Sequence, residues 1–153
     1  MVINSCLHYR RKKMARIEKV SVPWTVLRVG VKIVSAFPDG PSTVDFMGDV
    51  QGRSIAFEAK STEEERSFPL ANFEEHQIEF LRDWQGIKFA LIEFARYRKT
   101  FFVPWDKLIL AWDNQSDLRG RKSLKLNWFL EECYEVVQGN GVPLDFLRYI
   151  DYE

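Results

Sequence analysis

The chain has 153 residues, 46% of them apolar and 14% aromatic, a length and composition that suit one domain around one core and exclude a disordered chain. Its two cysteines, Cys6 and Cys133, are far apart and form neither a C-x-x-C pair nor a metal-ligand spacing; this excludes a disulfide framework or zinc site and fits a reducing, cytoplasmic setting. The net charge is zero, unlike that of a binder coated in positive charge. Residues 1–32 nevertheless hold eight Lys/Arg against Glu18 alone, a balance of +7 that the rest of the chain cancels.

Residues 1–14 read as a basic N-terminal tail or a helix stub, and residues 15–153 as one folded domain. Arg10, Arg11, Lys12, Lys13, Arg16 and Lys19 form either a solvated face or an arm contacting the phosphates of DNA. The short apolar patch ahead of them has the reverse order of a signal peptide, and no apolar run approaches the roughly 18 residues of a membrane span.

Residues 25–36 (TVLRVGVKIVSA) alternate β-branched side chains and predict a strand pair or one long bent strand, followed by the turn Pro38-Asp39-Gly40-Pro41. Residues 44–50 and 53–60 predict a hairpin, 62–69 a charged loop, and 72–84 an amphipathic helix capped by Asn72. In that helix Phe73, His76, Gln77, Phe80, Leu81 and Trp84 keep the spacing of a buried stripe, so His76 and Gln77 are polar groups on its inward face. Such groups either find backbone partners in a core or belong to a site. Residues 87–95 and 100–103 predict a second hairpin, whose Phe101 and Phe102 read as core. Pro104 opens a helix to Trp112, and residues 126–137 predict a last helix. Strands grouped with helices between and after them make this an α/β or α+β protein.

The stretch STVDFMGDVQGRSIAFEAKST, residues 42–62, carries the chemistry. Period-two alternation sends Ile55 and Phe57 to one face and Glu58 and Lys60 to the other, about 7 Å apart. A two-residue turn at Gln51-Gly52 pairs Phe46 with Phe57 and sets Asp45 across from Glu58, whereas a four-residue turn shifts the pairing by two and keeps Asp45 and Glu58 on one face. Facing carboxylates repel by a few tenths to ~1 kcal/mol unless a cation lies between them. These polar residues either face solvent or hold a hard divalent metal such as Mg²⁺ through their carboxylates, with Lys60 stabilising charge on a phosphodiester under attack.

Asp45 followed by Glu58-Ala59-Lys60 resembles the PD-(D/E)xK nuclease motif. The surroundings resemble the RecU Holliday-junction resolvase family, including its phage-borne members also called penicillin-binding-protein-related factor A. The match is carried by IEKVSVPW (residues 17–24), STVDF (42–46), GRSIAFEAKST (52–62), FPLANFEEHQIEFL (68–81) and GRK (120–122). The resemblance implies a restriction-endonuclease-like fold, a mixed β-sheet flanked by helices, acting as a homodimer that cuts branched or four-way-junction DNA in recombination and repair with Mg²⁺ or Mn²⁺. By position it implies Asp45, Glu58 and the Ala59 carbonyl as metal ligands, Lys60 as the catalytic amine and Gln77 as a catalytic helix glutamine. The family also has an acidic residue in an N-terminal helix and a long basic stalk. Here none of the first fourteen residues is acidic, and the segment between Trp24 and Ser42 is short and poor in basic residues. On this reading the N-terminal helix is truncated, and a catalytically degenerate DNA-binding relative modulating recombination is the alternative to an active nuclease.

Overall fold

The computed structural model of the protein describes residues 1–21, 24–38, 43–117 and 119–152, with the side chains of residues 24, 25, 37, 38 and 152 left undescribed. The expected turn at residues 39–41 lies outside the described residues.

Residues 1–14, expected as a tail or a helix stub, contain the ten-residue helix α1 (Val2–Arg11). Ser5, Cys6 and Tyr9 fall on one buried face of it, and His8, Arg10 and Arg11 occupy its last turn, where positive charge suits the carbonyl end of the helix dipole. Lys13, at φ 57°, turns the chain into β1 (Arg16–Lys19). The paired-strand reading of residues 25–36 holds: β2 (Trp24–Val29) and β3 (Lys32–Pro38) form their own two-stranded sheet, bulged between Leu27 and Arg28.

The central hairpin comprises β4 (Phe46–Val50) and β5 (Arg53–Thr62), in the register expected from sequence, Phe46 opposite Phe57 and Val50 opposite Arg53. Gln51 and Gly52 sit at φ 52° and 84°, the doubly left-handed two-residue turn that matches strand twist. Asp49 Oδ1 accepts the Gly52 amide at 3.0 Å and braces it.

Beyond the hairpin come β6 (Ser67–Pro69), α2 (Glu75–Asp83), β7 (Ile87–Phe94), β8 (Lys99–Pro104), α3 (Trp105–Asn114), β9 (Ser123–Lys125), α4 (Leu126–Glu132) and β10 (Tyr134–Val136). Two expectations are corrected. The charged loop at 62–69 ends in a strand, because β6 pairs with the distant β9. The last helix stops at Glu132: Cys133 is extended at φ −123° and ψ 174°, and the chain continues as β10 on the open edge of β8.

The fold is a mixed sheet flanked by helices, as expected. Its six strands run in the order β1-β4-β5-β7-β8-β10; β5 and β7 are parallel and the other neighbours antiparallel. A parallel pair needs a crossover, and α2 lies in it. On one face Phe46, Phe57, Phe89 and Phe102 stack in series across four strands, with centroids 5.0, 4.7 and 4.3 Å apart. The buried residues of α1 and the C-terminal residues Leu144, Phe146, Leu147 and Ile150 share that core. On the other face Ala90, Ile92, Phe94, Phe101 and Val103 pack with Phe68, Phe73, Ile78, Leu108 and Phe129. Phe101 and Phe102 are core, as read from sequence.

One buried polar knot ties the two ends of the chain together. The Tyr9 hydroxyl, wholly buried, lies 2.9 Å from Asp145 Oδ1 and 3.3 Å from the Leu144 carbonyl, and accepts the Leu147 amide at 3.1 Å. Asn140 Nδ2 donates to Asp145 Oδ2 at 3.0 Å, and Ser5 Oγ accepts the Leu144 amide at 2.9 Å. Removing the hydroxyl leaves a buried carboxylate oxygen and a buried amide without these partners. Tyr9→Phe therefore lowers unfolding free energy by about 1–3 kcal/mol, read as a lower urea midpoint at unchanged slope.

Candidate active site

Three elements bring Asp45, Glu58, Lys60 and Gln77 together. Asp45 immediately precedes β4, Glu58 and Lys60 alternate onto one face of β5, and Gln77 lies in the first turn of α2. Glu58 has no exposed side-chain surface, and its Oε1 is 3.2 Å from Lys60 Nζ. The same oxygen accepts Gln77 Nε2 at 2.8 Å, and Oε2 accepts the Asp45 backbone amide at 3.0 Å. Asp45 Oδ2 in turn accepts the Ala59 amide at 3.2 Å. Each carboxylate thus bonds the main chain of the opposite strand, which fixes both against each other. The Lys60 ammonium is 6.0 Å from the centroid of the buried Phe73 ring.

Gln77 has a second bond: its Oε1 accepts the Glu74 amide at 3.0 Å. Glu74, rather than the expected Asn72, is the N-cap of α2, and residues 70–72 form a separate 3₁₀ turn. The signal is present in the sequence as Glu-x-x-Gln, a variant of the capping box in which the residue at the third helical position reaches back to the cap amide. One side chain therefore starts the helix and orients Glu58. Gln77 is buried and His76 half-buried. His76 Nδ1 is 3.3 Å from Glu74 Oε2, its Nε2 is buried without a partner, and no hydrogen bond or ion pair joins it to Asp45, Glu58 or Lys60 among the described residues.

The Glu58 carboxyl is pushed up to about 8, chiefly by burial and then by a hydrogen bond and like charge from Asp45, against the opposing pull of the Lys60 ammonium and the Asp45 amide. At neutral pH Glu58 therefore holds a proton between groups that would suit a cation. The side-chain oxygens of Asp45 and Glu58 are hard donors of the kind that suits a small divalent metal keeping part of its water shell. Among the described residues no group of three or more His, Cys, Asp and Glu side chains gathers elsewhere to compete for one.

The six basic candidates do not form one cluster. Arg10, Lys13 and Arg16 line a cleft of about 280 Å³ with Asp49 and Gln51 at the turn end of the central hairpin. Six residues of β5 separate that turn from Glu58, about 20 Å at 3.3 Å per residue. Lys19 lies at the other end of β1, opposite Phe46 and so beside Asp45. Lys12 Nζ sits 3.3 Å from where a Cβ would stand on Gly141, against the C-terminal turn, and Arg11 is exposed. Arg16 pairs with Glu18 at 3.0 Å.

A mixed sheet that joins two carboxylates, a lysine and a helix glutamine at one hairpin defines the class in which comparisons with known proteins fall. Residues 1–152 match the family Recombination protein U, RecU. The chain is 34% identical over 153 residues to the Holliday junction resolvase RecU of Leuconostoc citreum, covering 94% of this chain and 73% of that protein. With its counterpart of the same name in Listeria innocua it is 35% identical over 143 residues, covering 92% and 70%. The chain belongs to the RecU family. A solved structure of Archaeoglobus fulgidus Hjc, a Holliday junction resolvase, superposes with a TM-score of 0.47 at 14% identity, covering 84% of this chain and 88% of that one.

The raised Glu58 pKa sets a pH dependence. The unfolded carboxyl loses its proton near 4.5 and the folded one near 8, so between these values the folded state binds more protons and stability falls as pH rises. Without metal, wild type loses on the order of a few kcal/mol from pH 5 to pH 9, whereas Glu58→Gln, with no proton to lose there, lacks that component. Urea titrations in EDTA at both pH values measure the difference.

Proposed function

We propose that this protein is an endonuclease that hydrolyses phosphodiesters of branched DNA, four-way junctions included, with Asp45, Glu58, Lys60 and Gln77 as its catalytic residues. The observation that carries the reading is the wholly buried Glu58 held between Asp45 and Lys60. A carboxyl kept dry and protonated in this way has its use where a cation replaces the proton. The names of the RecU relatives support the substrate.

Asp45, Glu58 and the Ala59 carbonyl would hold Mg²⁺ or Mn²⁺. When bound, such an ion polarises a phosphoryl oxygen and lowers the pKa of its water. Gln77 keeps Glu58 Oε1 directed into the site through its bond to that oxygen, and Phe73 limits water on one side of the Lys60 ammonium. Lys60 places positive charge where the phosphoryl group becomes more negative as the bond breaks, and a fixed charge there stabilises the transition state more than the ground state.

The cleft of Arg10, Lys13 and Arg16 takes phosphates about 20 Å from the scissile bond, and Lys19 a phosphate beside it. Resolving a four-way junction takes two incisions, and a chain with one such site supplies them as a homodimer. Among the described residues no helix is long and apolar enough to cross a membrane, and work on chromosomal or phage DNA in a bacterium is cytoplasmic.

The direct test compares a labelled four-way junction with a matched linear duplex, with Mg²⁺ and with EDTA. EDTA-sensitive cutting that favours the junction is expected. Binding without cutting under any divalent metal overturns the nuclease and leaves the degenerate DNA-binding relative, a reading favoured by the lack of any acid in α1. Asp45→Asn and Glu58→Gln each abolish cutting and retain junction binding, while Lys60→Ala lowers single-turnover rate about 10²- to 10³-fold with metal affinity by calorimetry nearly unchanged. Replacing Arg10, Lys13 and Arg16 by Gln lowers the dependence of log affinity on log salt by up to about 0.9 for each phosphate no longer neutralised, without changing junction preference.

A further inference from the structure

A second nucleic-acid surface lies outside the site just described, along the small sheet of β6 and β9. Two clefts meet there at Lys125. One, of about 390 Å³, is bounded by the end of α3, the loop after it, β9 and α4; Arg119, Arg121 and Lys125 surround it, and Trp128 and Ala111 are among its apolar lining. The other, of about 580 Å³, is lined by Arg66, Ser67, Tyr97, Lys125, Leu126 and Asn127.

Two properties together suit this groove to a polyanion. First, its cations are uncommitted among the described residues, as are Arg10 and Lys13 at the cleft by the hairpin turn. Elsewhere Arg53, Arg82, Arg96, Lys99 and Lys107 each form an ion pair. The side chains of Arg66, Arg119, Arg121 and Lys125 make no ion pair or hydrogen bond among the described residues. Asp117, the acid on the rim, is turned to its own loop: its Oδ1 accepts the Arg119 amide at 3.1 Å, and its main-chain carbonyl accepts the Gly120 amide at 2.8 Å. Gly120 is required there, since a Cβ would collide with the Asn114 carbonyl oxygen. The turn thus fixes the backbone between two guanidinium groups. On its other side Arg66 shares a cleft with Glu63, Glu64 and Glu65, of which Glu65 pairs with Arg96 at 2.6 Å; Arg119, Arg121 and Lys125 lie outside that cleft and carry the groove's charge.

Second, aromatic faces alternate with the cations. Tyr97 is 45% exposed, next to Arg98, whose φ of 51° closes the β7–β8 turn. Trp128 is half-buried, held edge-on against the fully buried Phe129 with centroids 5.0 Å apart. Separated cations around planar, partly exposed rings suit a chain with a phosphate at every step and bases free to stack. In a duplex the bases already stack on each other and are not available.

The groove is on the face of the sheet that carries Lys60. Phe68 of β6 and Leu124 of β9 are buried in the core on that face, and Phe68 packs edge-on against Phe73, the ring beside the Lys60 ammonium, at 5.5 Å. We infer that the groove along β6 and β9 binds an unpaired DNA strand, with Arg66, Arg119, Arg121 and Lys125 on phosphates and Tyr97 and Trp128 stacking on bases. This rests on the nuclease reading for its biological substrate: branched DNA opens unpaired nucleotides at the branch.

The test is fluorescence anisotropy of a labelled oligothymidylate and of a matched blunt duplex, without metal and in the Asp45→Asn background. Binding is then read whether or not the chain cuts DNA, and failure of the nuclease reading remains distinguishable from failure of the groove. Arg119→Gln with Arg121→Gln removes two exposed, unpaired charges without disturbing the core. It is expected to weaken single-strand binding about tenfold and to lower its salt slope by about 0.7 per phosphate released, leaving duplex affinity within about twofold. Tyr97→Ala, at an exposed ring, is expected to weaken single-strand binding about five- to tenfold with an unchanged salt slope, as the removal of stacking requires. Equal losses on single strand and duplex overturn the inference, as does unchanged single-strand binding in both variants. Polyglutamate that competes as well as an oligothymidylate of equal charge also overturns it, by making the groove a surface for acidic peptides.

Discussion

A carboxylate with no exposed surface, Glu58, sets the terms for the structure around it. Taking it out of water costs several kcal/mol if it stays charged, and the fold offsets only part of that cost with a backbone amide from the facing strand, an amide side chain from α2 and an ammonium two residues along, so the carboxyl keeps its proton to about pH 8. Each donor depends on a different element. The amide requires the β4–β5 register and therefore the Gln51-Gly52 turn. The side chain requires α2 to begin at Glu75. The ammonium requires β5 to remain extended through Lys60, which its parallel pairing with β7 secures. A slip of one residue in the hairpin would move Glu58 to the phenylalanine face and away from all three donors.

The two faces of the sheet divide the work. The stacked phenylalanines, α1 and the C-terminal segment build a dry core, and nothing polar interrupts that stack. The opposite face has its own apolar cluster over β7 and β8, and over β4 and β5 a smaller one around Val44, Ala56 and Leu81 adjoins the polar groups. α2 bridges these regimes: Ile78 and Leu81 are buried in apolar clusters while Gln77, beside Ile78, reaches Glu58.

The sequence reveals what is local and periodic. The hairpin register, the face shared by Glu58 and Lys60, and the second hairpin follow from alternation and turn chemistry within a few residues. What it conceals is carried by pairing between distant segments. β6 and β9 are three residues each and exist as strands only because they pair across more than fifty positions, so neither has a pattern of its own. β10 lies in a stretch that reads as helix, and the vacant edge of β8 claims it. The knot of Tyr9, Asp145 and Ser5 spans the length of the chain, and an isolated tyrosine in a basic segment gives no hint of it. Among the site residues, the alternation that pairs Asp45 with Glu58 is readable, and so is the inward face of Gln77. The bond from Gln77 to Glu58 is not, and the Glu-x-x-Gln signal of its bond to the helix cap is masked, because Asn72 is by residue type the stronger cap and draws the expected helix start two residues ahead of Glu74.

The separate ribbon of β2 and β3 determines how this chain behaves as a solute. It exposes Leu27, Val29, Val31, Ile33 and Val34, each at least half uncovered, on a hairpin whose outer edges pair with no other strand among those described. Exposed apolar edges are ordinarily kept apart by charge, and here the net charge is zero with an isoelectric point near 6.8. Net-charge repulsion is therefore weakest near neutral pH, so little there keeps two such ribbons apart, and moving the pH to either side of the isoelectric point restores it.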